Sequence, residues 1–224
     1  MLEVPGSRSL AVRHIAGGRY SLGRPGGEPD EGLREELVEA FSIGEHEVRV
    51  RDFVSFLNAT DVEYPETEQV KSRGAKYRAR RGLSDVPIVY VDYPLAEAYV
   101  AWLSKVTGHI VRLPSPEQWE VAARGGLHGA RYASGWARSA VARDVHRVGR
   151  SGPPNSYGIF DMEGNVFEWC RDPSSASSAV ACGGSFAERD AMMFEISRRV
   201  PFDRAYRGRD VGLRILVEGQ GISN

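Results

Sequence analysis

Asp161 and Glu168 stand seven residues apart in the stretch NSYGIFDMEGNVFEW at positions 155–169, and Gly164-Asn165 forces a turn between them. Such a turn lets two carboxylates and several backbone carbonyls converge, and hard oxygen ligands on a loop suit calcium. The same carboxylates could equally accept hydrogen bonds from loop amides with no ion present. Spacing alone leaves both readings open. Five histidines, at 14, 46, 109, 128 and 146, are scattered with no i, i+4 pair, so no zinc site is signalled. Walker, dinucleotide-binding and nucleophile-elbow glycine patterns are absent. Ser185, in the GGSF run at 183–186, has no local base to activate it, and its glycines read as positions of close backbone approach.

Six basic residues, Lys71, Arg73, Lys76, Arg78, Arg80 and Arg81, crowd around one aromatic, Tyr77. They read as a solvated mobile loop or, more sharply, as a landing strip for an anionic ligand. Over the whole chain 29 Lys and Arg face 30 Asp and Glu, so a net charge of −1 gives no general field for nucleic acid or an anionic membrane. No run of eighteen apolar residues is present to span a bilayer, and charges interrupt the N-terminal apolar residues. Cytoplasmic residence is therefore the default, and Cys170 and Cys182, on neighbouring strands, read as buried, inert thiols in a reducing cytosol or else as a strained cross-strand pair.

The 25 glycines and 12 prolines among 224 residues predict loops and turns more than long elements. Alternation around Gly17-Gly18 predicts two short strands and a tight turn, and the acidic, glycine-rich stretch at 24–39 reads as a solvated loop. A strand follows at 40–44, then helical spacing of Val50, Phe53, Val54 and Leu57. Asp92 can cap a helix with Pro94 in its first turn and Gly108 as its stop; Tyr99 and Trp102 then face the core. Ser115 and Gln118 form a capping box before a second helix ended by Gly125-Gly126. Beyond position 126 only strands and irregular loops are expected, with the serine-rich tract at 174–178 as a hairpin loop. The class is α+β, in one domain over 1–224.

Four stretches resemble the sulfatase-modifying-factor, or formylglycine-generating-enzyme, superfamily: IAGGRYSLG at 15–23, FSIGEHEV at 41–48, positions 87–126 with LPSPEQWEVAARGG, and 155–169 followed by GGSF and by VGLR at 211–214. The resemblance implies a variant of the C-type-lectin fold, loop-rich, with short helices plus small antiparallel sheets. It also implies a structural calcium held by the side chains of Asp161 and Glu168 and the carbonyls of Gly164 and Val166. A second family calcium site has no matching asparagine at 140–152. Formylglycine-generating members bind copper through two cysteines after the glycine-glycine-serine motif; those positions fall at Glu188 and Met193, so neither copper nor that oxidation is expected, and no catalytic residue is assigned.

Fold does not settle function in such a family. The leading expectation is a non-catalytic binding or assembly module that recognises a protein or peptide through Glu188, Arg189, Asp190, Arg198, Arg199, Arg204, Tyr206, Arg207 and Arg214. The alternative is a peptide-tailoring oxidoreductase of the pyoverdine-maturation type. A variable ligand-binding protein of a diversity-generating retroelement is a lesser alternative, since the segment after GGSF lacks the expected excess of Asn, Tyr and Ser.

Overall fold

A computed structural model describes residues 1–5, 7–29, 31–133, 144–171 and 178–219. In chain order the elements are β1 (Val12–Ile15), β2 (Gly18–Leu22), β3 (Arg34–Val38), β4 (Phe41–Gly44), α1 (Val50–Ala59), β5 (Val70–Arg73), β6 (Lys76–Ala79), α2 (Tyr93–Thr107), β7 (Val111–Arg112), α3 (Pro116–Arg124), β8 (Phe167–Cys170), β9 (Ser178–Cys182), β10 (Val200–Asp203), β11 (Val211–Gly212) and β12 (Leu216–Glu218). Short helices and small, mostly antiparallel sheets joined by loops make this an α+β fold. One four-stranded sheet has the order β1-β4-β12-β7, and a second runs β10-β9-β8-β11, its β11–β8 pair parallel. Among the described residues no helix is long and apolar enough to cross a membrane.

Local chemistry sets the helix ends. The Asp92 carboxylate accepts from the Leu95 amide at 3.0 Å, Pro94 occupies the first turn, and Gly108 closes α2 at φ 73°. Ser115 and Gln118 exchange the reciprocal bonds of a capping box at the start of α3. The helical stripes then meet: Phe53 of α1 stacks on Tyr99 of α2 with ring centroids 5.4 Å apart, and Phe56 meets Tyr99 edge-on. Trp102 is only partly buried beside them. A second apolar cluster gathers Trp119 of α3 with Ile15, Ile43, Ile159 and Leu216.

Three expectations need correction. The strands flanking Gly17-Gly18 do not pair with each other: β1 joins β4, and β2 joins β3. The stretch at 24–39 contains that β3, and its Glu31 is buried, accepting from Arg24, Arg198 and the Arg199 amide. Only Val38 of β3 enters the core, so the strand has too weak an apolar alternation to betray itself. The basic run is the β5–β6 hairpin rather than a loop, with Gly74 at its tip in the left-handed region. The serine-rich tract lies largely outside the described residues, as does the first part of 140–152.

Phe53→Ala removes a ring that touches Phe56, Tyr64 and Tyr99 in the middle of the larger cluster. The expected loss is about 3–5 kcal/mol of unfolding free energy, read from chemical denaturation.

Candidate functional site

The stretch 155–169 folds as the spacing requires, through positive φ at Asp161, Gly164 and Asn165. It is sewn to the GGSF run by two bonds: the Gly164 amide donates to Gly183 O at 2.8 Å, and the Phe186 amide donates to Asn165 O at 2.9 Å. The glycines are required here, because a Cβ on Gly184 would meet the Phe194 ring at 2.6 Å and Met193 O at 2.9 Å.

Glu168 is fully buried and its carboxylate is engaged on both oxygens. Arg214 Nη2 donates to Oε1 at 2.6 Å, Arg214 Nε to Oε2 at 2.9 Å, and the Trp119 indole to Oε2 at 2.7 Å. Arg214 also donates to the carbonyls of Gly44 and Phe160. At 0% exposure Arg214 is a core residue, which corrects its place on a binding surface. Asp161 accepts from the Gly149 and Ser151 amides, the ion-free role open to it from the start.

A third buried carboxylate, which sequence reading missed, completes this cluster. Glu47 accepts from Asn165 Nδ2 at 2.8 Å, while its Oε2 is buried with no partner among the described residues. Burial first, then the charge of Asp161, pushes its pKa well up, against the pull of Arg214. The three carboxylates Glu47, Asp161 and Glu168 thus surround one guanidinium, two negative charges in excess when all are ionised. As a set, the four anticipated calcium donors do not fit: Glu168 faces a fixed cation and an indole donor. What suits a hard cation is the charge excess, the unpartnered Glu47 oxygen and Asp161 on a carbonyl-rich turn.

The groove after the glycine pair holds no thiol at the two anticipated positions. Glu188 is half-buried and Met193 is an ordinary partly buried side chain of a 3-10 turn. Burial first, then Asp210 and Asp190, raises the Glu188 pKa. Cys170 and Cys182 are free, buried thiols on β8 and β9, outside this groove. Burial pushes the Cys170 thiol well up, with Cys182 adding to it, the reverse of what a nucleophile or metal ligand needs.

The C-terminal arginines divide by role. Arg198 and Arg199 turn inward to Glu31 and Glu117. Arg204 lies 4.1 Å above the Tyr93 ring and pairs with Glu97. Arg189 bonds the Phe186 carbonyl, Asp190 caps the turn at Met192, Tyr206 donates to Asp210, and Arg207 Nε donates to Asp92 at 2.6 Å. Arg209, at the end of the same arginine-rich region, covers the Phe186 ring at 5.0 Å. Glu188, Arg189, Asp190, Tyr206, Arg207 and Arg209 therefore form the accessible part of this face.

Beside it opens a cleft of about 770 Å³ between Arg80 at the base of the β5–β6 hairpin and Arg207. Tyr90 lines it at φ 62°, a conformation that costs a bulky L-residue about 1–3 kcal/mol. The Tyr90 amide donates to Gly208 O at 2.9 Å, which ties the strained residue to the C-terminal loop. Nothing local in the sequence marks Tyr90 as left-handed.

Residues 8–218 match the Sulfatase-modifying factor enzyme 1-like domain, and the chain belongs to that family. It is 30% identical over 223 residues to the formylglycine-generating enzyme of Thermomonospora curvata, covering 72% of this chain and 71% of that protein. To the inactive C-alpha-formylglycine-generating enzyme 2 of Bos taurus it is 28% identical over 224 residues, covering 75% and 72%. It is also 31% identical over 173 residues to the serine/threonine-protein kinase pkn1 of Chlamydia pneumoniae; the match covers 70% of this chain but spans only 27% of that kinase. Among solved structures, PvdO from Pseudomonas aeruginosa superposes with a TM-score of 0.76 at 25% identity, covering 94% of this chain and 95% of PvdO. Treponema denticola variable protein 1 gives 0.77 at 21% identity over 95% and 96%, a likeness of fold.

Glu168→Gln leaves Arg214 buried without its counter-charge, so unfolding free energy should fall by about 3–5 kcal/mol. Adding Arg214→Met to that variant should recover part of the loss, and a double-mutant cycle by urea denaturation measures the difference.

Proposed function

We propose that this chain is a non-catalytic binding or assembly module that recognises a protein or peptide partner through the face built from Glu188, Arg189, Asp190, Tyr206, Arg207 and Arg209. The observation that carries the reading is that Glu188 and Met193 stand in the groove where thiols would be needed, with both cysteines buried elsewhere. A Cu(I) site needs thiolates, and a carboxylate and a thioether on this turn do not supply them. The likeness to an inactive relative supports the same direction. Aromatic and arginine side chains clustered on one rim are the residue types that anchor interfaces. The cytoplasm is the compartment this reading assumes.

A peptide-tailoring oxidoreductase is the second reading. It is favoured by Glu188 alone, a half-buried carboxylate whose raised pKa suits proton transfer. Stoichiometric iron or copper in the purified chain would support it.

Incubation with a sulfatase-derived cysteinyl peptide and copper should yield no aldehyde by mass spectrometry; aldehyde formation would sink the module reading. Native copurification should yield a partner that is lost from the Tyr206→Ala/Arg209→Ala variant, and retention by that variant would exclude this face as the contact.

The buried carboxylate cluster supports a structural calcium in modified form. Asp161 with the Gly164 and Val166 carbonyls would hold it, Glu47 would offset its charge, and Glu168 would remain the partner of Arg214. Calcium should raise the melting temperature by a few degrees over EGTA, about the shift that 1 kcal/mol gives a chain of this size. Asp161→Asn should abolish that shift, and equal melting with calcium and with EGTA refutes the site.

A further inference from the structure

The cleft between the β5–β6 hairpin and the C-terminal loop gathers two arginines from segments more than a hundred residues apart in sequence, Arg80 and Arg207. Two acids line it as well, and their contacts hold them in place without removing their charge. Glu66 accepts from both the amide and the hydroxyl of Ser72, at 3.0 and 2.7 Å, and the Tyr90 hydroxyl lies against Glu68. The arginines are engaged differently. Arg80 Nε donates to Thr67 O at 2.8 Å, with Glu66 only at 3.5 Å from Nη2; Arg207 Nε donates to Asp92. Each guanidinium is fixed at its Nε edge, and among the described residues the terminal N–H groups keep capacity to donate. Two pre-positioned forks with open terminal donors are the chemistry that grips an oxyanion.

Tyr90 supplies the second observation. A tyrosine held at φ 62° is strained where glycine would not be, and backbone outliers of this kind cluster at functional sites. Here the ring forms a wall of the cleft beside the two guanidinium groups, and its amide bond to Gly208 keeps it in register with Arg207. A flat apolar wall next to two cations accommodates a peptide side chain or peptide plane adjoining an acidic group.

We infer that this cleft is a subsite for an acidic peptide segment, with Arg80 and Arg207 gripping a carboxylate and Tyr90 packing against the neighbouring residue. The inference rests on the binding-module reading and deepens it by naming the chemistry of the partner. Specificity comes from placement: Lys71, Arg73, Lys76, Arg78 and Arg81 of the same basic run are exposed and do not line the cleft.

The test uses the full chain and a dye-labelled acetyl-Glu-Tyr-Glu amide tripeptide, followed by fluorescence anisotropy, with the Gln-Tyr-Gln counterpart and inorganic phosphate as further probes. The acidic tripeptide should bind, and the neutral one should bind about tenfold more weakly or not at all, the effect of losing a charge-assisted hydrogen bond. Arg80→Gln and Arg207→Gln should each weaken the acidic tripeptide about tenfold, while Lys76→Gln changes it by less than about twofold. An equal loss in Lys76→Gln would mean general attraction to a basic hairpin and would overturn the subsite. Tyr90→Gly should keep or raise the melting temperature by relieving strain, yet weaken the tripeptide; unchanged affinity would remove Tyr90 from the site. Phosphate competing only weakly against the tripeptide identifies the peptide as the source of the oxyanion, whereas phosphate binding without tripeptide binding overturns the peptide assignment. Should the tripeptide fail while the Tyr206→Ala/Arg209→Ala variant still loses its copurified partner, the subsite falls and the module reading stands. Aldehyde formation would instead remove the reading itself.

Discussion

The Arg214–Glu168 ion pair is the constraint on which the rest of this structure depends. Both partners are sealed from water, with side-chain exposures of 0% and 1%, so the desolvation of two charges must be met by bonds of good geometry. Those bonds come from segments far apart in the chain. Arg214 donates to the end of β4 and to the loop before Asp161, while Glu168 on β8 accepts from the Trp119 indole of α3. A guanidinium reaching two carbonyls and a carboxylate can be satisfied only when both four-stranded sheets and α3 are in place. The pair therefore specifies a relative placement of elements that short, loop-linked strands could not specify by themselves. It also determines what the neighbouring turn can do, because a carboxylate facing a fixed cation is a poor ligand for a second one.

The elements whose instructions are local were legible in the sequence. Asp92, Pro94 and Gly108 delimit α2, and Ser115 with Gln118 starts α3, because capping and proline chemistry act within a turn of the chain. Pairing partners were not legible. Gly17-Gly18 signals a turn, yet whether β1 pairs with β2 or with β4 is decided by long-range burial, here of Ile15 with Ile43. The strand β3 was hidden for a related reason: four of its five residues are charged or exposed, and its partner β2 supplies the order.

The same division holds within the site. The turn at 161–168 could be drawn from Gly164 and Asn165 alone, but the roles of its carboxylates depended on residues far away. Glu168 is claimed by Arg214, and Glu47 enters from a segment 118 residues from its partner Asn165. The C-terminal arginines all look like surface in a sequence of this composition. Arg214 is core, Arg198 and Arg199 brace the buried Glu31 and the half-buried Glu117, and only the arginines near Tyr206 and Phe186 remain at the rim. Arginine identity says little without the location of the carboxylates that compete for it.

A groove without thiols at these positions is free of the geometric demand that a copper site imposes. Thiolates for copper require lowered pKa values and accessible sulfur; Glu188 and Met193 require neither. The surrounding architecture is retained for a reason independent of oxidation. The glycine pair must be glycine so that Phe194 and Trp119 can pack on it, and the turn it supports carries Glu168, whose partner Arg214 unites the sheets. The residues that mark the family are thus the ones the fold needs, while the residues that would perform its chemistry are replaceable without cost to the core. That separation leaves the scaffold free to carry a rim of arginine and aromatic side chains here. Tyr90 is the cleft's backbone outlier, and its amide bond to Gly208 ties that strain to the C-terminal loop that carries the rim.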